Sequence, residues 1–274
     1  MNRLVILFIL CGFLLAACGE SLTPEQRISR LKRLTDSGEY PEAMEYYKGL
    51  KDERPTDAVV LMMGARLYFE YEQYDSALSC AKKYANLYSG DPSGYQLLYK
   101  VAKQIKDYDQ MLWALSQLGY IGRDRKPYLP EIAQLNLIKG NPGMAVSVCR
   151  DIVEYDPENQ SVLFTLGSGL LAIGKADSAI VVFEHLDDLV PDQLEILVNL
   201  GMCYATVEKF NKAEEIYGQV TVMYPDFMPG WYGLGNILSS KGDTTGAIEA
   251  YRHVYSIDPT FLGVDTLLRN LGSF

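Results

Sequence analysis

The sequence predicts an all-α solenoid of seven helix hairpins closed by a C-terminal capping helix. Three observations carry that reading. First, Leu194 to Phe227 holds two helical patterns and a turn within 34 residues, with landmarks at Leu197, Leu200-Gly201, Tyr204, Ala213, Tyr217 and Pro225. Second, the landmarks return 34 positions later as Trp231, Leu234-Gly235, Leu238, Ala247, Tyr251 and Pro259. Third, 34 positions earlier they stand as Leu163, Leu166-Gly167, Leu170, Ala179, Phe183 and Pro191, with no insertion or deletion between. A fixed period of this length marks a stacked array, in which each hairpin buries its apolar face against its neighbours.

Taken in order, the chain opens on a segment separate from the fold. Arg3 supplies a positive charge, Leu4 to Leu15 an apolar run, and Leu15-Ala16-Ala17-Cys18 ends it in small residues before a cysteine. This resembles the lipobox of bacterial lipoproteins. The resemblance implies a signal peptide at 1–17, cleavage after Ala17, and acyl chains such as diacylglyceryl and palmitate on Cys18. A second acyl chain converts marginal membrane attachment into a stable one. Gly19 rather than aspartate after the cysteine implies the outer membrane, facing the periplasm, in an organism that has one. The rival readings are a secretory signal that happens to hold a cysteine and a retained membrane helix, for which the apolar run is short. Residues 18–23 form a short tether, and Thr23-Pro24-Glu25-Gln26 reads as a capping box with proline at the first helical position.

Carried backwards, the frame gives repeats at 24–57, 58–91, 92–125, 126–159, 160–193, 194–227 and 228–261. The small residue where the two helices of a repeat cross is Ala43, Ala77, Met111, Ala145, Ala179, Ala213 and Ala247. One turn later the groove filler is Tyr47, Ala81, Leu115, Cys149, Phe183, Tyr217 and Tyr251. A short side chain lets two helix backbones approach, and the next residue on that face fills the space beside it. Pro55, Pro157, Pro191, Pro225 and Pro259 stop second helices, and Gly38, Gly140, Gly174 and Gly242 mark the turns inside hairpins. Repeats two and three depart, with Ser89 and Arg123 for the proline and Glu72 and Lys106 for the glycine. The glycine-flanked, basic segment 119–127 reads as a lengthened connection and bend, or as an ordinary solvated loop. The last 13 residues, 262–274, keep the packing residue Leu268 but set Asp265 and Arg269 where Trp231 and Gly235 stood. That is the polar outer face of a capping helix, with Gly272 ending it.

The hairpin signature over residues 24–261 resembles the tetratricopeptide repeat. The resemblance implies a right-handed solenoid whose first helices face a concave groove that accepts an extended peptide or a partner helix. Family groove residues fall at the second, fifth, ninth, twelfth and thirteenth positions. Here the ninth reads Lys32, Arg66, Lys100, Gln134, Ser168, Met202 and Asn236, so three cations give way to neutral residues. Lys103 adds a cation, against Asp36 and Glu70. The fifth and twelfth positions of later repeats are Phe164, Val198, Tyr232, Leu171, Ala205 and Ser239, mostly apolar and uncharged. This pattern fits an acidic partner segment with an apolar anchor. The competing reading is a solvated helix face whose cations pair with neighbours such as Glu70. Asn236 also resembles the asparagine of carboxylate-clamp repeats, but the lysines such a clamp needs are absent.

Composition narrows the remaining classes. Acidic residues outnumber basic by 35 to 25, a net charge of -10 that disfavours nucleic acid as a partner. With 48% hydrophobic residues the chain is expected to fold. Of the five cysteines, Cys11 leaves with the signal. Cys80, Cys149 and Cys203 fall in repeats two apart, beyond bridging distance, and read as buried free thiols. Cys149 beside Arg150 would be activated only if the charge outweighed burial. His185 and His253 lie a full repeat or more apart, too far for joint metal ligation, and no HExxH, P-loop or nucleophile elbow occurs. Tyr120, Tyr128 and Trp113 near the connection read as a second aromatic patch or as packing. No cofactor is expected and no enzyme. The expected function is a membrane-anchored adaptor or scaffold that binds an envelope protein or peptide during assembly or secretion. The alternatives are a glycan or polysaccharide-export binding module, which would need an aromatic ladder, and a self-associating structural envelope protein.

Overall fold

The computed structural model describes residues 22–272, and the signal-like segment 1–17 and Cys18 lie outside them. The described residues are helical and fall into two compact bodies that divide between Arg125 and Lys126. The N-terminal body holds three hairpins, α1 (Pro24–Ser37) with α2 (Tyr40–Leu50), α3 (Ala58–Glu70) with α4 (Tyr74–Leu87), and α5 (Pro92–Ile105) with α6 (Tyr108–Ile121). The C-terminal body opens with a 3-10 turn at Lys126–Tyr128. Its four hairpins follow: α7 (Leu129–Ile138) and α8 (Pro142–Val153), α9 (Gln160–Ala172) and α10 (Ala176–Leu189), α11 (Leu194–Thr206) and α12 (Phe210–Met223), α13 (Met228–Ser240) and α14 (Thr244–Ile257). Helix α15 (Val264–Asn270) closes it.

One turn geometry recurs in all seven hairpins. A residue in the left-handed region ends each first helix, and the next N–H donates to the carbonyl five residues back. The pairs are Glu39 to Leu34, Gln73 to Tyr68, Asp107 to Ala102, Asn141 to Asn136, Lys175 to Leu170, Lys209 to Tyr204 and Asp243 to Leu238, at 2.8 to 2.9 Å. Glycine fills the left-handed position at Gly38, Gly140, Gly174 and Gly242, whereas Glu72, Lys106 and Glu208 adopt it at φ of 56 to 58°. The turn therefore forms where the glycine is missing, at the steric cost a Cβ brings to that conformation.

Packing inside a hairpin turns on an aromatic ring and a missing Cβ. A methyl group added at Gly167 would lie 2.7 Å from the Phe183 ring, one at Gly235 2.6 Å from Tyr251, and one at Gly201 3.1 Å from Tyr217. Tyr217 also reaches the next repeat, leaving only 2.6 Å for a methyl at Gly233, and Tyr47 crowds Gly64 in the same way. Where the ring is replaced by Ala81 or Cys149, the facing residue becomes Ala65 or Ala133, all four buried. Within each body successive first helices pack directly on one another, α1 on α3 on α5, and α7 on α9 on α11 on α13. First helices thus form the inner layer of each stack.

Three local features differ from the sequence expectation. Gly119 is buried inside α6, which runs to Ile121, because a bare Cα there accommodates the Arg125 side chain. The connection is therefore shorter than 119–127. Helix α15 starts at Val264 rather than Leu262, since Leu262 and Gly263 both take positive φ and delay it. Cys149 and Cys203 are buried, but Cys80 is half-buried, its Sγ 3.5 Å from the Tyr47 hydroxyl. Burial pushes the Cys149 thiol up to about 12, so Arg150 does not activate it. All three thiols are free.

Two stability measurements follow. Gly174 at φ 75° has no atom within 4 Å of an added Cβ, so Gly174→Ala changes backbone strain alone. It should cost about 1 kcal/mol, and Glu208→Gly should stabilise by a few tenths to about 1 kcal/mol, read from urea midpoints. Equal midpoints for wild type and Gly174→Ala would contradict this account of the turn. Gly167→Ala should cost about 1–3 kcal/mol by overpacking against Phe183. In a Phe183→Cys background, which copies the Ala133/Cys149 pairing of the fourth repeat, the cost should largely vanish; an unchanged cost would show that the two sites are uncoupled.

Candidate functional site

The inner layer of the N-terminal body carries the predicted cations. Lys32 on α1 and Lys100 and Lys103 on α5 are exposed, while Arg66 on α3 is half-buried. Two links run between adjacent first helices. Arg66 Nη1 lies 2.6 Å from Asp36 Oδ1 on α1, and Lys100 Nζ sits 4.2 Å from the centroid of Phe69 on α3. In each case a ninth-position cation of one repeat meets the twelfth or thirteenth position of the repeat before it. These contacts set Arg66 and Lys100 along the first helices of the N-terminal body, and Lys32 holds the same repeat position on α1. Arg66 is already paired, by Asp36 rather than by Glu70 on its own helix. Lys103 Nζ lies 3.2 Å from the Tyr99 hydroxyl.

The inner layer of the C-terminal body is chemically different. Its fifth, ninth, twelfth and thirteenth positions hold no charged residue in any of the four repeats. Met202 is 44% exposed and Ile138 53%, a surface fraction that packing alone does not require. Tyr232 is partly covered by its own chain: Phe261 stands edge-on to it at 5.8 Å, and its hydroxyl donates to the Leu262 carbonyl at 3.4 Å. Asn236 accepts a hydrogen bond from the Tyr251 hydroxyl at 2.7 Å, which commits its amide oxygen to the hairpin. Phe164 contacts Phe183 edge-on at 5.9 Å and borders an open pocket of about 480 Å³ between the starts of α9 and α11. That pocket had a legible signal. The last position of the repeat is Gln193 here, where repeats six and seven have Phe227 and Phe261.

Outside the inner layer, Trp113 and His253 pack against neighbouring rings. Trp113 packs edge-on to Tyr95 at 5.3 Å, whereas Tyr120 is 79% exposed. His253 stacks on Trp231 at 4.2 Å, with its Nε2 3.1 Å from the Pro225 carbonyl that the Trp231 indole also reaches. His185 is exposed on α10. Tyr88 and Tyr224, equivalent residues of repeats two and six, donate their hydroxyls to the carbonyls of Thr56 and Asp192 in the preceding repeat. This tie between consecutive junctions was not anticipated. No helix among the described residues is long and apolar enough to cross a membrane.

Known proteins share this fold. The tetratricopeptide repeat family model matches residues 194–227 and 229–261, the sixth and seventh repeats. No curated protein matches the chain. Among solved structures, the C-terminal part of a TPR repeat-containing protein from Cytophaga hutchinsonii has a TM-score of 0.64 at 15% identity, covering 87% of this chain and 98% of that one. A tetratricopeptide repeat protein from Parabacteroides merdae gives 0.51 at 13% identity, covering 91% and 98%. The anaphase-promoting-complex hetero-tetramer Cut9-Hcn1 gives 0.54 at 16% identity, covering 88% of this chain and 48% of that one. The fold is the tetratricopeptide solenoid.

Burial sets a pH dependence. It raises the Cys149 and Cys203 thiols to about 12 and about 11, and the Tyr217 and Tyr251 hydroxyls to about 12. In the unfolded chain these groups release protons at lower pH than in the folded one, so stability is full below about pH 9 and falls as pH rises towards 12. Urea midpoints between pH 8 and 10.5 should therefore decline, and the Cys149→Ala/Cys203→Ala variant should decline less steeply. Parallel profiles would assign the loss to other groups.

Proposed function

We propose that this chain is a non-catalytic adaptor, held at a membrane by lipid on Cys18, which binds partner proteins through its first-helix faces in bacterial envelope assembly or secretion. Tetratricopeptide solenoids are protein-interaction scaffolds, and the coarse reading follows from the fold. The observation that carries the finer one is the face of the N-terminal body. Exposed Lys32, Lys100 and Lys103 lie there in a chain of net charge -10. Their surface is the natural landing site for an acidic segment, because charge complementarity steers encounter and rejects like-charged partners. Neutral residues such as Phe164, Met202 and Tyr232 suit the apolar anchor of that partner. The lipid tether sets the location, which we assign to the outer membrane with the solenoid in the periplasm.

The test is cross-linking capture from intact envelopes with wild type and a Lys32→Glu/Arg66→Glu/Lys100→Glu variant. The variant should lose most of its captured partner and its salt sensitivity. Its urea midpoint should move by no more than about 1 kcal/mol, since exposed charges and ion pairs contribute little to stability. Equal capture by a folded variant would remove the docking face. Separately, the wild-type chain from the membrane fraction should carry acyl mass on Cys18 that Cys18→Ser lacks; an unmodified Cys18 would rule out the lipid anchor.

A further inference from the structure

Repeat seven shows what the pocket beside Phe164 lacks. There the fifth-position ring, Tyr232, is met edge-on by the last-position ring, Phe261, with centroids 5.8 Å apart and planes at 77°. In repeat five the fifth position is again aromatic, Phe164, but the last position is Gln193. Gln193 supplies no ring and makes no side-chain cap to α11, although Asp57, Asp91 and Asn159 cap their helices from the same position. The space left is the pocket of about 480 Å³, walled by Phe164, Leu186, Val190 and Ile196. Among the described residues lining it, the exposed Glu195 carries the charge.

We propose that this pocket receives an aromatic side chain of a partner protein, presented on an extended segment beside a lysine or arginine. The inference rests on the adaptor reading and names the chemistry of one of its anchors. The partner ring takes the position over Phe164 that Phe261 holds over Tyr232. Edge-on aromatic pairs are favoured beyond the area they bury, and the pocket falls within the size range of ligand sites. The neighbouring cation follows from charge complementarity with Glu195 at the rim.

The probe is an end-capped hexapeptide of glycine and serine with adjacent phenylalanine and lysine at its centre, titrated into the full-length chain in detergent and followed by saturation-transfer NMR. Changing the phenylalanine to alanine should weaken binding about tenfold or more, as for a buried aromatic anchor. Changing the lysine to glutamate should weaken it several-fold. Gln193→Phe, which fills the pocket as Phe261 fills its own, should abolish binding while the melting temperature holds or rises. Glu195→Gln should erase the preference for lysine over glutamate and leave the preference for phenylalanine over alanine. Where Gln193→Phe loses the helical circular dichroism of wild type, Phe164→Leu replaces it and should bind about fivefold more weakly. Equal binding of the phenylalanine and alanine peptides, or undiminished binding by a folded pocket variant, overturns the proposal. If the peptides fail while the charge-reversed variant still loses its captured partner, this inference falls and the adaptor reading stands. The opposite pattern removes the basic docking face and keeps the pocket.

Discussion

In repeats five to seven the stack depends on a volume exchange between an aromatic ring on the second helix and a side chain that is missing opposite it. Phe183, Tyr217 and Tyr251 each lie over a glycine of their own hairpin, and Tyr47 and Tyr217 also lie over a glycine of the next. Repeats two and four reach the same closeness with two small residues, Ala65 with Ala81 and Ala133 with Cys149. Interiors packed at crystal density leave neither partner room to grow alone. The Tyr217 ring meets Gly201 and Gly233 of two consecutive repeats, so one residue fixes both its hairpin and the step to its neighbour.

That division of labour frees the rest of the first helix. Residues facing the partner helix must be small or apolar, whereas ninth-position residues are polar or exposed and make, where they make any, hydrogen bonds, ion pairs and cation–π contacts. Their identities can therefore follow function: Lys32, Arg66 and Lys100 in one body, Gln134, Ser168, Met202 and Asn236 in the other. The last position of the repeat is similarly divided. It caps the next helix as Asp57, Asp91 or Asn159, or fills beside the inner layer as Phe261. Gln193 does neither, and a pocket lies beside it.

The period, the crossing alanines and the hairpins were legible because repetition multiplies each weak local signal by seven. The turns of repeats two and three looked irregular for want of glycine, yet they close with the same hydrogen bond as the rest. Helix ends must satisfy their carbonyls, and that demand exceeds the strain at Glu72 and Lys106. Gly119 misled for a related reason. A glycine signals a turn or a close approach, and only the fold reveals that Arg125 lies against it. The positions of the groove residues could be counted from the sequence; their partners could not. Arg66 chose Asp36 over Glu70 because adjacent first helices bring positions 30 residues apart within 2.6 Å.

The charge distribution closes the argument. An excess of ten acidic charges repels itself, and placing more of it along first helices that pack on one another would add to the cost. In the C-terminal body the fifth, ninth, twelfth and thirteenth positions carry no charge, and the acidic residues of its first helices are Glu131 and Glu195, near the starts of α7 and α11. An inner surface without charge is also one from which water can be displaced without stripping an ion of its solvation. Among the described residues lining the pocket, Glu195 is then the charge that meets anything entering beside Phe164.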